Sequence, residues 1–413
     1  MEHGRWLGGP ISIGSKPVYP SPTRQAALER VAQVHATAYA RTRNHLEGDA
    51  TGLSPYLTHG VLTLPEVLAE VLKREPLALN HKLVQELGWR EFFRHVWSHA
   101  GSGIFQSLHA GLLPDDHYAA SVPADIREGR TGVPVIDQAV RTLYATGMLH
   151  NHARMWLASY VVHLRKVHWR AGADWLVAHL LDGDLASNHL SWQWVSGTGS
   201  HKPYLFNAEN VAHFAPAPWH SSGTVVDASY EELDRIARGF STPPTTQPDE
   251  PDKDSTSFEP PLHSKPPACL NLNAPDEEFT HHLGGRDVWL VHPWALRAPP
   301  TDLPSRVEII GVYLKEHHEA WPWPEARWRW VDAAMAEVTE RRWFLDSRTL
   351  EQALAKTRSV RAVDDPHIRH LLKPTAQLTP SPSLFASLEQ ICGSFSQWWT
   401  RATRGLKRAE DLL

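Results

Sequence analysis

Apolar residues in the first 240 positions recur at spacings of three and four, which places them on one face of an α-helix. The pattern predicts clear helices at Leu64–Val71, Leu83–Val96, Val135–Tyr144, Met155–Leu164 and Trp175–Leu181. No alternating strand pattern of comparable strength interrupts this region. We therefore predict an all-α domain over residues 23–240, preceded by an N-terminal arm at residues 1–22.

The pattern changes after a segment in which prolines recur and large apolar residues are nearly absent, which predicts a proline-rich linker at 241–275. Short β-rich runs follow at Val288–Val291, Val307–Leu314, Trp343–Leu345 and Val360–Val363. Helical segments separate them at Glu325–Thr339 and Thr349–Ala355. This alternation predicts a small α/β accessory domain over residues 276–413, built on a partly parallel sheet and closed by a helix at about Ser383–Arg404.

The composition is that of a globular protein: 413 residues, 42% hydrophobic and 21% charged. No apolar run is long enough to span a bilayer and the first residues do not form a signal peptide, so we expect a cytoplasmic protein without a membrane partner. Two cysteines are too few for a disulfide framework or a cysteine-ligated cluster, and the histidine pairs lack metal-ligand spacing, so we expect no metal. Tryptophan is abundant, at 18 residues.

The strongest chemical signal lies in LLDGDLASNHLSWQW at 180–194, together with LHNHARMWL at 149–157. Asp182 and Asp184 flank a glycine, so a turn would bring two carboxylates close to a ligand. Buried carboxylates need a partner, and Arg154 is the candidate because it lies on the inward face of the preceding predicted helix. The alternative is that either aspartate only caps a helix.

The segment DGDLASNHLSWQW resembles the photolyase/cryptochrome flavoprotein family, and five further segments match in the family's order. They are TGLSPYLTHG (51–60), QELGWREFFRH (85–95), EGRTGVPVID (128–137), LHNHARM (149–155) and GTGSHKPYLFN (197–207). The resemblance covers roughly residues 20–220 and implies the family's helical FAD-binding domain. Because the chain begins almost at this part, we expect a short form without an N-terminal antenna domain.

The resemblance implies a set of FAD-binding residues. Those that match the positions around the diphosphate and ribityl chain are Tyr39, Arg43, Ala50, Thr51, Gly52, Leu53 and Ser54. Those that match the positions around the isoalloxazine ring are Arg90, Arg154, Asp182, Gly183 and Asp184. Asn188 matches the position at flavin N5, where it adds no charge, and this favours photolyases over cryptochromes that carry aspartate or cysteine there.

The resemblance also implies a substrate side and an electron path. Glu86, Trp89, Asn151 and Met155 match residues that contact a cyclobutane pyrimidine dimer, whereas (6-4) photolyases carry histidines at the last two positions. Trp192 and Trp169 match the first two members of an electron-transfer chain. The third is missing from Asp115-Asp116-His117-Tyr118, so either Tyr118 or a tryptophan outside the usual path completes the route, or photoreduction of the flavin is slow.

These matches predict an FAD-dependent deoxyribodipyrimidine photo-lyase that repairs damaged DNA in light, with a flipped pyrimidine dimer as substrate. The alternative is a cryptochrome-like blue-light photoreceptor without repair activity. The sequence leaves open whether a second, antenna chromophore is bound. It also leaves open whether the C-terminal domain is a trimmed antenna domain or an accessory module, and the oligomeric state.

Overall fold

A computed structural model describes residues 19–200, 202–242, 259–272, 274–301, 303 and 306–413. Most of the predicted N-terminal arm, 1–18, and the centre of the predicted linker, 243–258, lie outside the described residues.

The described chain up to Ala237 is helical. Its α-helices are α1 (Arg24–Ala32), α2 (Ala36–Thr42), α3 (Ser54–Thr58), α4 (Leu64–Leu72), α5 (Lys82–Ala100), α6 (Ala124–Arg127), α7 (Pro134–Thr146), α8 (Asn151–Ser159), α9 (Trp169–His179), α10 (Leu185–Ser196), α11 (Ala208–Phe214) and α12 (Tyr230–Ala237). A π-helical turn, Tyr160–Leu164, extends α8. The predicted helices are confirmed, with ends that shift by a few residues.

Local sequence explains where these helices begin and end. Thr63 and Glu66 form a capping box at the start of α4, in which each side chain bonds the other's backbone N–H. α7 begins at Pro134 and ends before Gly147, whose φ of 64° suits glycine. Asp184 caps α10, and its side chain accepts a hydrogen bond from the N–H of Ser187.

The chain from Leu262 onward forms an α/β domain. Its strands are β1 (Leu262–His263), β2 (Asp287–Val291), β3 (Glu308–Leu314), β4 (Trp323–Pro324), β5 (Arg342–Leu345), β6 (Ser359–Val363) and β7 (Gln377–Thr379). Its helices are α13 (Glu277–His282), α14 (Lys315–Ala320), α15 (Glu325–Ala336), α16 (Ser347–Leu354), α17 (Arg369–Leu372) and α18 (Phe395–Ala402). The fold is therefore a helical domain followed by a small α/β domain, as the sequence predicts.

Within the described ranges, the main sheet has five strands in the order β5-β3-β2-β6-β7, and every neighbouring pair is parallel. The central strand β2 is buried along its whole length, which suits a sheet covered on both faces. β1 and β4 form a separate antiparallel pair. The prediction of a partly parallel sheet is thus sharpened to a wholly parallel main sheet.

The predicted final helix starts twelve residues later than expected, at Phe395 instead of Ser383. Pro380 and Pro382 precede this region, and Ser394 is the N-cap that starts the helix. The residues between instead run beside α5, where the N–H groups of Leu384 and Phe385 donate to the carboxylate of Glu91. α18 then packs on α5.

One cluster of buried apolar residues includes members from both domains, and a second cluster lies within the helical domain. His59, which follows α3, is fully buried at the boundary between the domains, where its ring nitrogens lie 2.6 Å from the carbonyl oxygen of Pro293 and 2.9 Å from that of Leu181. The pKa of His59 is lowered to about 3, mainly by burial and next by the charge of the Arg327 guanidinium. The neutral ring has one N–H, so it donates to one of these two carbonyls.

None of the helices in the described ranges combines the length and hydropathy needed to cross a bilayer. In the same ranges, no group of three or more His, Cys, Asp and Glu residues is arranged to hold a metal ion.

Gly60→Ala should destabilise the protein by at least about 3 kcal/mol, because a Cβ there would lie 2.5 Å from the carbonyl oxygen of Trp294 and because φ is 64°. Gly223→Ala is the matched control: its φ is 74°, but a Cβ there meets nothing within 4 Å, so we expect a loss of about 1 kcal/mol. Urea unfolding of both variants measures the difference. Equal losses would contradict close contact between the domains at Gly60.

Candidate functional site

A cavity of about 330 Å³ opens in the helical domain, between α2, α5, α8, α10 and the residues before α3. Most of the residues predicted as site residues line it. They are Tyr39, Arg43, Ala50, Thr51, Gly52, Ser54, Glu86, Trp89, Arg90, Asn151, Arg154, Met155, Asp182, Asp184, Asn188 and Trp192. The structure thus brings most of the predicted cofactor residues and all four predicted substrate residues to a single cavity.

Three of the predicted residues do not line this cavity. Leu53 is buried in the hydrophobic core. Gly183 packs away from it, because a Cβ there would lie 2.5 Å from the carbonyl oxygen of Val177 and 2.7 Å from Nη1 of Arg327. Trp169 is buried behind the lining, where its indole N–H donates to the hydroxyl of Ser107 at 2.9 Å.

Asp182 is the partner of Arg154, as the sequence predicts. One guanidinium nitrogen of Arg154 donates to both carboxylate oxygens, at 2.9 and 2.8 Å, while Nε donates to the carbonyl of Leu149. Burial alone would raise the pKa of Asp182, but Arg154 and a hydrogen bond from Ser54 outweigh it and lower the pKa. Asp182 is therefore a fixed anion at the cavity wall.

Asp184 both caps a helix and faces the cavity. One carboxylate oxygen accepts from the N–H of Ser187 at 2.8 Å. The other, Oδ2, is buried and has no hydrogen-bond partner among the residues that the structure describes, and Nη2 of Arg94 lies 3.5 Å from it. Burial would raise the pKa of Asp184, but the charges of Arg94 and Arg90 lower it to about 2. The helix-cap alternative therefore holds for one oxygen and leaves the other available to a ligand.

Cationic side chains line the cavity as well. Both terminal nitrogens of the Arg90 guanidinium lie 3.2 Å from the hydroxyl of Thr58. Nε of Arg43 lies 3.6 Å from a carboxylate oxygen of Glu86. Burial raises the pKa of Glu86 in spite of Arg43. With Arg154, these residues give the cavity a positive set of donors that suits an anionic ligand.

The predicted substrate residues lie on two helices. Glu86 and Trp89 are three residues apart on α5, and the indole of Trp89 stacks on Phe395 of α18, with centroids 4.0 Å apart and planes 8° apart. On α8, the amide of Asn151 donates to the thioether of Met155 at 3.4 Å. One polar and one apolar or aromatic group thus come from each helix.

Each alternative for the outer electron-transfer residue, Tyr118 or a further tryptophan, is connected to Trp169 through the ring of one histidine. Tyr118 contacts His168, which contacts Trp169, with centroid distances of 6.3 and 5.8 Å. Trp321 of the α/β domain contacts His189, which contacts Trp169, with distances of 5.6 and 6.4 Å.

Sequence reasoning missed further lining residues, which are Phe93, Leu149, His150, Ala158, Leu176, Leu180, Ser187, Ser191 and Val195. Helical spacing from predicted residues indicates several of them, since Ser187 and Ser191 lie three and seven positions after Asp184. Helical spacing also indicates Arg94, which lies one turn after Arg90 on the same helix. It gives no indication of Asp365, the partner of Arg94, because the two are 271 residues apart in the sequence.

Comparison with known proteins covers mainly this helical part. Residues 83–255 match the family model described as the FAD binding domain of DNA photolyase. A deoxyribodipyrimidine photo-lyase of Escherichia coli is 34% identical over 193 residues, which are 45% of this chain and 41% of that protein. A protein of Oryza sativa named cryptochrome DASH is 32% identical over 173 residues, 39% of this chain and 29% of the relative.

Among solved structures, an archaeal photolyase from Sulfolobus tokodaii with two FAD molecules has a TM-score of 0.41 and 26% identity to this chain. The match covers 55% of this chain and 52% of the archaeal one. The chain spans about two fifths of the length of the E. coli relative.

Arg154→Met should destabilise the cofactor-free protein by about 3–5 kcal/mol, because it leaves the buried carboxylate of Asp182 without its cation. The control, Arg238→Met, removes an exposed pair with Asp234 and should cost at most about 0.5 kcal/mol. Without Arg154, burial raises the pKa of Asp182, so the loss should shrink as the pH falls and the carboxyl is protonated. Urea unfolding at pH 7 and pH 5 measures both effects, and equal losses in the two variants would refute the assignment.

Proposed function

The helical domain of this chain belongs to the photolyase/cryptochrome family, and from this premise we propose that the chain is a light-driven, FAD-dependent photolyase that splits cyclobutane pyrimidine dimers in DNA. The observation that carries the proposal is that two sets of predicted residues, one for binding FAD and one for contacting the dimer, line the same cavity. One set suits the cofactor and the other suits the lesion.

The residues present fit FAD. The buried Oδ2 of Asp184 lacks a hydrogen-bond partner in the described chain and can accept from a heterocycle N–H. Arg43 and the small residues Thr51, Gly52 and Ser54 would hold the diphosphate side, where cations and exposed backbone N–H groups suit phosphate. Arg90 and Arg154 would stand beside the ring, with Asp182. When bound, reduced FAD supplies the electron that light drives into the dimer and takes it back after the ring opens.

Asn188 is suited to the flavin N5 position that the family resemblance assigns to it. Its amide nitrogen donates to the carbonyl of Ala173 at 2.9 Å, which fixes the orientation of the side chain. The amide oxygen is then the acceptor that Asn188 offers to the cavity. This arrangement provides a neutral acceptor, whereas an aspartate would bring a third carboxylate beside Asp182 and Asp184.

The lesion side favours a dimer of neutral bases. Glu86 offers an acceptor, and burial raises its pKa. Trp89 offers an aromatic surface, Asn151 an amide and Met155 a polarisable apolar contact. A dimer must leave the duplex to reach such a cavity, and a poorly stacked, damaged pair leaves at a lower cost, of about a few kcal/mol. This difference contributes to selectivity.

The alternative is a blue-light photoreceptor without repair activity, and the similarity to a protein named cryptochrome DASH keeps it open. Repair and sensing would use the same cofactor. They differ in whether the dimer is consumed.

Reduced, FAD-loaded protein should convert a dimer-containing oligonucleotide to intact pyrimidines under blue light and leave it unchanged in the dark. Asn151→Ala should slow repair about tenfold and leave FAD retention unchanged, because it removes one hydrogen-bonding group on the lesion side. The control is Asn80→Ala, at an exposed position outside the cavity. A flavin-loaded protein that leaves the dimer intact in light would contradict the proposal and support the photoreceptor.

We propose that the electron path runs inward through the ring contacts of Trp321, His189 and Trp169. The last step, to Trp192, rests on the family resemblance. An indole is oxidised without first losing a proton, which favours Trp321 over Tyr118. Trp169→Phe and Trp321→Phe should each slow photoreduction of the flavin at least about tenfold, measured by absorption under blue light with an external reductant. Tyr118→Phe and the buried control Trp343→Phe should not. Slow photoreduction in Tyr118→Phe alone would overturn this path.

A further inference from the structure

The α/β sheet brings two loops against the back of the cofactor cavity. The chain enters the main sheet at its central strand, β2, and adds β3 and then β5 on one side. It then returns to add β6 and β7 on the other side of β2, so the direction of winding reverses between β2 and β6. Open α/β sheets bind ligands in the crevice beyond the carboxyl ends of the strands at such a point. Here the loops that follow β2 and β6 contact the helical domain through His59 and Arg94.

Asp365, in the loop after β6, shares one cation with Asp184. Nη1 of Arg94 donates to Asp365 at 2.9 Å, while Nη2 lies 3.5 Å from Oδ2 of Asp184. Both carboxylates are 2% exposed, so neither is screened by water. Burial would raise the pKa of Asp365, but the charge of Arg94 and a hydrogen bond from His367 hold it well below its usual range. Arg94 is therefore held between a carboxylate of each domain.

His367, two residues later, bonds the first turn of α10. Its Nδ1 lies 2.6 Å from Asp365, and its Nε2 accepts from the N–H of Leu185 at 3.3 Å. Because Nε2 is an acceptor here, the ring is neutral and donates from Nδ1 to the carboxylate. Leu185 is the first residue of α10, where backbone N–H groups lack partners within the helix. Stacking on Trp294, at a centroid distance of 4.5 Å, fixes the plane of the His367 ring.

The helix start that these residues hold carries cofactor residues. α10 begins directly after Asp184, and Ser187, Asn188 and Trp192 on it line the cavity. Arg327 of α15 supports the same loop, with a hydrogen bond of 2.7 Å to the carbonyl of Gly183. The α/β domain thus contacts the loop between Asp182 and Asp184 and the helix after it.

We propose that Asp365 and His367 are positioning residues of the FAD site: Asp365 keeps Arg94 from fully pairing with Asp184, and His367 fixes the start of α10. The proposal rests on the proposed cofactor. Without the carboxylate of Asp365, Arg94 would turn to Asp184 and occupy the oxygen that the cofactor needs. Loss of His367 would leave the N–H of Leu185 unsatisfied and loosen the helix that carries Asn188.

Titration of the full-length apoprotein with FAD, followed by quenching of flavin fluorescence, tests the role of Asp365. Asp365→Asn should weaken FAD binding about tenfold. The control Asp364→Asn, which removes a neighbouring pair with Arg369, should leave the dissociation constant within about twofold. Far-UV circular dichroism and the melting temperature of each apoprotein verify folding. An Asp365→Asn protein that folds and binds FAD as tightly as wild type overturns the proposal.

A double-mutant cycle tests the route through Arg94. In an Asp184→Asn background, Asp365→Asn should change the dissociation constant by less than about twofold, because the oxygen it protects is already altered. Full additivity of the two losses would contradict the shared cation.

His367 provides a test that does not depend on the folding of Asp365→Asn. Gln at this position retains both an acceptor for Leu185 and a donor for Asp365, so His367→Gln should bind FAD within about threefold of wild type. His367→Leu should lose about tenfold. Equal losses would reduce His367 to a packing role and refute its part in the proposal. If the wild-type protein bound no FAD, the proposed function itself would be refuted. This outcome differs from one in which wild type binds FAD and the variants bind it equally well, which refutes only the positioning roles.

Discussion

Two buried carboxylates, on Asp182 and Asp184, lie two positions apart, and the surrounding structure keeps both ionised. Removing such a group from water costs several kcal/mol, which only close cations and hydrogen bonds offset. Arg154 is the close cation for Asp182 on one side of the loop, and Arg94 is the close cation for Asp184 on the other. The result is a rigid turn that presents to the cavity a fixed negative charge and one oxygen without a hydrogen-bond partner in the described part of the chain, while the rest of the lining is rich in cations. A neutral loop would need neither guanidinium, and it would present no fixed acceptor to a heterocycle.

The same constraint explains why a second domain packs behind the loop. Arg94 holds Asp365 as well as Asp184, while Arg327 bonds the carbonyl of Gly183. These contacts stand at the reversal point of the parallel sheet, where α/β domains usually leave a crevice for a ligand. In this chain, side chains of the helical domain enter that region. The α/β domain is therefore part of the framework of the proposed cofactor cavity, in addition to any role of its own.

Short-range patterns predict the helices and the strands, and they also associate Asp182, Asp184 and Arg154. The other predicted cavity residues, such as Asn188, Glu86 and Trp89, follow from the family resemblance of the segments that contain them. The contacts that the sequence did not reveal join distant elements. Asp365 and Arg94 form an ion pair although they are 271 positions apart, and a periodic pattern within one helix or strand cannot predict such a pair. The start of the last helix was also wrong, because a segment that precedes Ser394 makes its hydrogen bonds with Glu91 instead of continuing the helix.

If the cofactor cavity and the sheet behind it are one cooperative unit, a ligand of the helical domain must stabilise the sheet. Hydrogen–deuterium exchange of the full chain, with and without FAD, measures this directly at the backbone amides of α10 and of β6 that exchange by global unfolding. At about 100 times the dissociation constant, FAD should slow exchange in both elements by a similar factor of about 100. Slower exchange in α10, with β6 unchanged, would show that the two domains unfold independently and would contradict a site built by both.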